Sequence, residues 1–217
     1  MKQWLVRQRE STSNKEQLLL PEQAAMKYAN QKKPAIEYIT PSLVTPKTPS
    51  SNRKYGTGNG FNKYDGQKNN QQKQTIGMVA EMVVYEKLLE DPNIENIKWV
   101  SKYAARIEPA HAGYNPYGTD GLGYDIEYID KEGNKYFVEV KGKADNVNCF
   151  EITVPEIEKA KLEKEYFYII FVTNTLNEES RRIKNLNNLF IFEEGEDLLN
   201  NKRFLAVAKS YEIRFEE

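Results

Sequence analysis

Gly123–Gly142, GYDIEYIDKEGNKYFVEVKG, reads as two alternating strands joined by a tight turn. Asp130-Lys131-Glu132-Gly133 places Asp first and Gly fourth in a type I turn, and the glycine suits the left-handed position of a three-residue hairpin loop. Pairing Asp130 with Asn134 and counting back along both strands sets Asp125 opposite Glu139, with Cβ atoms roughly 5 Å apart. Lys141 follows Glu139 by two residues and leaves the strand on the same face. One face is therefore expected to carry Asp125, Glu139 and Lys141.

Two facing carboxylates repel and do not both stay ionised without a cation between them. Carboxylate oxygens suit the hard ions Mg²⁺ and Mn²⁺. Such an ion lowers the pKa of bound water and stabilises charge on a phosphate, while a nearby lysine orients the water or neutralises developing charge. The chemistry this predicts is phosphodiester hydrolysis. Glu139-Val140-Lys141 is the only acid-x-Lys in the chain, and it falls on the hairpin whose turn aligns it with Asp125. The competing reading is a strand face that is merely solvated.

GYDIEY followed by YFVEVKG resembles the D…(D/E)xK core of the restriction-endonuclease-like superfamily. More narrowly, GMVAEMVVYEKL, GYDIEY, YFVEVKG, FEITVPEIEKA and YFYIIFVTN, in that order between Ile76 and Asn174, resemble the NO VEIN C-terminal domain family. The resemblance implies an α/β fold bordering on α+β, with a central mixed β-sheet flanked by helices. It implies an active triad of Asp125, Glu139 and Lys141, with Glu81 as the supporting acid on the first helix. Asp125 and Glu139 would bind Mg²⁺ or Mn²⁺, with the Val140 carbonyl as a further ligand. The expected activity is endonucleolytic, with DNA the leading substrate and defence by restriction the commoner association. RNA or nucleotide hydrolysis is the lesser alternative, and an inert nuclease-like binding module is the rival class.

The 217 residues, 39% hydrophobic, suffice for one sizeable domain and an appendage. A single cysteine, Cys149, excludes an internal disulfide framework and points to a reducing, cytoplasmic setting. The opening MKQWLVRQRES carries too short an apolar run for a signal peptide, and no stretch reaches membrane-span length. Net charge is −1, but residues 1–76 hold 13 Lys and Arg against 5 acids, while the remainder is as strongly acidic. A basic, polar, loop-rich extension over 1–74 is thus expected before a nuclease-like domain over 75–217. The extension either supplies phosphate contacts to nucleic acid or docks on an acidic surface, of this molecule or of a partner protein. The oligomeric state stays open, a homodimer included.

Within the extension, Pro21–Lys32 is expected to form a short helix with Ala24, Ala25 and Tyr28 along one side, and Ile36–Ile39 a short extended piece. GTGNGF at 56–61 reads as a turn and not a phosphate loop, lacking a flanking strand and a following Lys-Ser/Thr. Helical periodicity covers Thr75–Glu90, with Thr75 as N-cap and Pro92 beyond its end. Glu81 lies among Gly77, Tyr85 and Leu88 on a mostly apolar face, so it needs an ion partner or reaches the metal. Ile97–Ser101 is expected to be a strand. Tyr103–Gly123 reads as a loop containing the sole histidine, His111, which has no ligand-spaced companions.

After the hairpin, Cys149–Thr153 reads as a strand, and Thr153-Val154-Pro155-Glu156 as a capping box opening a helix to about Lys164. Tyr166–Thr173, YFYIIFVT, suits a strand buried on both faces and parallel to its predecessor. Leu189–Phe192, Phe204–Ala208 and Ser210–Phe215 are expected as further strands, and Arg181, Arg182 and Lys184 as a basic loop cluster.

Overall fold

A computed structural model describes residues 20–29, 31–42 and 63–206. Its centre is a six-stranded mixed sheet in the order β1-β6-β5-β4-β3-β2. The strands are β1 (Ile36–Tyr38), β2 (Ile94–Trp99), β3 (Ile126–Asp130), β4 (Lys135–Gly142), β5 (Phe167–Thr173) and β6 (Arg182–Asn185). β4 runs parallel to β5 and β1 to β6, while the other neighbours are antiparallel. Among the described residues three α-helices flank the sheet: α1 (Pro21–Ala29), α2 (Lys63–Leu89) and α3 (Val154–Glu163).

The β3–β4 hairpin follows the register counted from its turn. Gly133 has φ +85°, the left-handed conformation, and Asp130 N–H donates to Asn134 O at 3.0 Å. The Asp130 carboxylate holds the turn by accepting from the Glu132 and Asn134 N–H groups, both at 2.9 Å. Pairing then continues to Ile126↔Val138.

Alternation along β4 divides two cores. Val138 and Val140 face α2 and join Met78, Val79, Met82, Val83, Ile126, Ile170, Val172 and Ile183 in one apolar cluster. Phe137 faces the other way and packs with Ile157, Ala160, Phe167, Ile169 and Phe171 under α3. From Met78 to Tyr85 every residue of α2 is buried, so this helix needs cover on its outer side too. α1 packs against α2, with Ala24 and Ala25 buried. The layers run α3, sheet, α2, α1.

α2 crosses closest to the sheet at Gly142. A Cβ there would lie 2.9 Å from Ala80 Cβ and 3.0 Å from Ile76 O. Gly142→Ala is therefore expected to push α2 off β4 and lower stability by about 1–3 kcal/mol, measured by urea denaturation. Unchanged stability would contradict this packing.

Several expectations are corrected. α2 begins at Lys63, not at a Thr75 cap; Thr75 lies within the helix and its hydroxyl donates to Gln71 O at 3.0 Å, one turn back. Cys149–Thr153 is irregular backbone and not a strand, because β4 and β5 already pair with each other and leave no edge between them. Phe150 and Ile152 instead pack on the core under α3. Leu189–Phe192 and 204–206 are also not strands; Leu189, Phe190, Phe192 and Phe204 fill that core from irregular backbone. The sixth strand is Arg182–Asn185, where a basic loop was expected. Arg181 is buried, donating to Thr175 O and Gln31 Oε1 and lying over the Tyr28 ring.

GTGNGF and Ser210–Phe215 lie outside the described residues. Among the described residues no helix is long and apolar enough to cross a membrane.

Candidate active site

β4 presents Glu139 and Lys141 on the α3 side of the sheet, near its carboxyl end. Lys141 Nζ lies 2.7 Å from Glu139 Oε1, and the Glu139 residue is only 4% exposed. Lys141 has a second partner that sequence reading placed only in a helix cap. Glu156, in the first turn of α3, holds Nζ at 2.7 Å with its Oε2. That same oxygen accepts the Thr153 N–H at 2.9 Å, one half of the capping box.

Asp125 departs from the simple ladder. The hairpin count makes it a strand residue directly opposite Glu139, but β3 begins one residue later, at Ile126. The Asp125 N–H donates to Val138 O at 2.9 Å, and its carbonyl accepts from Val100 N–H at 2.7 Å and Ser101 N–H at 3.2 Å. Its Oδ2 accepts the Val140 N–H at 2.8 Å, a donor that a regular ladder would give to a backbone carbonyl. The side chain thus displaces the last rung. Because a strand residue's N–H and C=O point to the same neighbour, the Val140 carbonyl faces the β3 side beyond that strand's first residue.

Glu81 approaches from α2, on the opposite face, where β3 leaves the sheet. It is 5% exposed. Its partners are two neutral donors: Trp99 Nε1–H donates to Oε2 at 2.8 Å, and the Ser101 hydroxyl makes a close contact with the same oxygen. Trp99 also donates to Ser101 Oγ at 3.0 Å, which fixes the trio. Sequence periodicity finds the buried acid on α2, but nothing in spacing points to Trp99 and Ser101 as its anchors.

The acids perturb one another. Burial pushes the Glu81 carboxyl up to about 8, against the opposing pull of the Ser101 and Trp99 hydrogen bonds, with Glu139 adding repulsion. Burial and then the charge of Glu81 raise Asp125 well above the usual carboxylate range. Burial and then Asp125 do the same to Glu139, with Lys141 opposing. Burial disfavours the Lys141 ammonium, but Glu139 and then Glu156 outweigh it and raise that pKa. Tyr103 borders the cluster and packs on Gly77; burial and then Glu81 push its phenol up to about 12.

Residues 80–186 match the family described as Protein NO VEIN, C-terminal. This segment is a NO VEIN C-terminal domain. The match takes in Glu81, Asp125, Glu139, Lys141 and Glu156 together. No curated protein and no solved structure matches the chain.

His111 lies within the NO VEIN C-terminal domain but apart from these contacts. Gly113 N–H donates to its Nδ1 at 2.9 Å, so Nε2 carries the hydrogen and donates to Glu86 Oε1 at 3.1 Å. It ties the loop to α2, as Tyr85 also does by donating to Ala112 O at 3.0 Å.

Among the described residues no group of three or more His, Cys, Asp and Glu is arranged to hold a metal ion. Mg²⁺ seldom needs such a cage, since it binds through one or two carboxylates and completes its shell with water and substrate phosphate. Two adjacent acids whose ionisation is opposed by burial and mutual repulsion, beside a backbone carbonyl, fit that mode.

Proposed function

We propose that this NO VEIN C-terminal domain is a metal-dependent endonuclease of the D…(D/E)xK type, hydrolysing phosphodiester bonds with DNA as substrate. The observation that carries this reading is the convergence of Asp125, Glu139 and Lys141 at the end of β4, with Lys141 Nζ 2.7 Å from Glu139 Oε1. Burying two such acids costs stability, and carboxyls perturbed in this way cluster at functional sites.

Asp125, Glu139 and the Val140 carbonyl would hold Mg²⁺ or Mn²⁺. When bound, such an ion supplies a Lewis acid toward phosphoryl oxygens and a lowered pKa for water. The chain's own residues do the rest. Lys141 sets a positive charge beside the two acids, placed to orient the attacking water or neutralise charge on the phosphate. Glu81, held by Trp99 and Ser101, supports Asp125 from behind the sheet. The basic residues of the N-terminal extension supply sequence-independent phosphate contacts that an acidic domain lacks. The same extension is the candidate surface for a partner protein, and defence against foreign DNA is the biological setting we favour.

Supercoiled plasmid and single-stranded DNA are expected to be cut by the purified chain with Mg²⁺ or Mn²⁺ and spared in EDTA. Absence of cutting with either ion would transfer the proposal to an inert binding domain.

A further inference from the structure

We propose that Glu156 is the positioning residue for Lys141, an assignment that rests on the nuclease reading of the site. The observation is a shared oxygen. Glu156 Oε2 accepts the Thr153 N–H at 2.9 Å and Lys141 Nζ at 2.7 Å. Helix α3 places this carboxylate in its first turn, where the helix dipole favours negative charge. The capping bond to Thr153 then fixes its rotamer, so the lysine meets a preset partner.

Glu139 cannot fill this role alone. It is the other partner of Lys141, but its carboxylate is also committed to the ion that the nuclease reading requires. An ion drawing on the Glu139 oxygens would weaken its hold on Nζ. Glu156 is not among the proposed ligands and would keep its contact with an ion bound. The side chains of Lys141 and Glu156 are 15% and 16% exposed, so water competes weakly for the pair. Residues 143–153 join β4 to α3, and the Lys141–Glu156 contact closes that connection against the strand.

Two substitutions separate positioning from capping. Glu156→Gln keeps the shared oxygen as an acceptor for Thr153 N–H but removes the negative charge that holds the ammonium, whereas Glu156→Ala removes both contacts. For the glutamine variant, the melting temperature is expected within about 2 °C of wild type. KM for DNA and Mn²⁺ affinity by calorimetry are expected within about twofold. kcat is expected to fall on the order of 10²-fold, the scale of misplacing a catalytic group by an ångström. The alanine variant is expected to show the same loss of kcat together with a lower melting temperature. Acylation footprinting without DNA is expected to find Lys141 protected in the wild type in both EDTA and Mn²⁺, and in Glu156→Gln protected in EDTA, where Glu139 still holds it, but labelled in Mn²⁺.

Cutting by Glu156→Gln at the wild-type rate would overturn the assignment, leaving Glu156 a helix cap. A tenfold or greater loss of Mn²⁺ affinity in that variant would overturn it in favour of a metal ligand. A wild-type chain that cuts nothing, while the footprint contrast persists, would remove the nuclease reading and the catalytic role of this contact with it.

Discussion

Glu139→Gln is expected to abolish metal-dependent cleavage, by about 10³-fold or more, while leaving the protein folded and more resistant to heat. The loss of activity follows from removing one of the two carboxylates available to the ion and the one that contacts Lys141, a charge-stabilising group of the kind worth about 10²–10³ by itself. The gain in stability has a separate cause. Glu139 is buried and faces the charge of Asp125, so its carboxyl ionises less readily in the folded chain than in the unfolded one. At neutral pH that charge opposes folding, and glutamine removes it. Lys141→Met is expected to abolish cleavage as well, but with the opposite effect on stability. It leaves Glu139 and Glu156 without the cation between them, at a cost on the order of 3 kcal/mol. Plasmid cleavage by the two variants with Mg²⁺ or Mn²⁺, and their thermal melting in EDTA, check both halves. A Glu139→Gln protein that cuts like wild type would sink the site assignment.

Glu81→Gln is expected to flatten the decline of stability between about pH 4.5 and 8. The Glu81 carboxyl ionises near its ordinary 4.5 in the unfolded chain but near 8 in the folded one. Between these values the folded state keeps a proton that the unfolded state has released. Stability contributed by this group is therefore fully present below 4.5 and is lost as pH rises, by about 1.4 kcal/mol per pH unit, until 8 is passed. Asp125 and Glu139 shift in the same direction, so the whole metal-free protein should weaken as pH rises through this range. Glutamine keeps an acceptor for Trp99 Nε1–H and for Ser101 while having nothing to ionise. Urea denaturation across this range, in EDTA, makes the comparison. Parallel pH profiles for the two proteins would mean that Glu81 is ionised throughout. The same shifts predict that Mn²⁺ binding releases protons and strengthens with pH, because the ion must displace them from the acids.

Much of this site is legible in the sequence. Asp130 and Gly133 are turn residues with fixed roles, so the hairpin and its register follow from local chemistry. Period-two alternation then puts Glu139 and Lys141 on one face, and a capping box with proline starts α3 where it was expected. The buried acid on α2 follows from the apolar residues around it.

Other features were not legible, because they depend on groups distant in sequence. Thr75 has the chemistry of a cap, but α2 continues through it because tertiary packing overrides a local stop signal. The apolar runs at Leu189–Phe192 and from Phe204 have strand composition; composition cannot tell a strand from irregular backbone filling the α3-side core. The sixth strand forms instead from Arg182–Asn185, where β5 and β1 offer it edges on both sides.

By itself, the sequence determined the hairpin, its register to Ile126↔Val138, the acid-x-Lys on β4, the helices on either side and the family of residues 80–186. Turn chemistry and side-chain period are local and need no partner. Only the tertiary structure decided that Asp125 spends its carboxylate on the Val140 N–H, that Trp99 and Ser101 hold Glu81, and that Glu156 reaches Lys141. Each of these is a hydrogen bond or ion pair between elements, and its geometry exists only once the layers have packed.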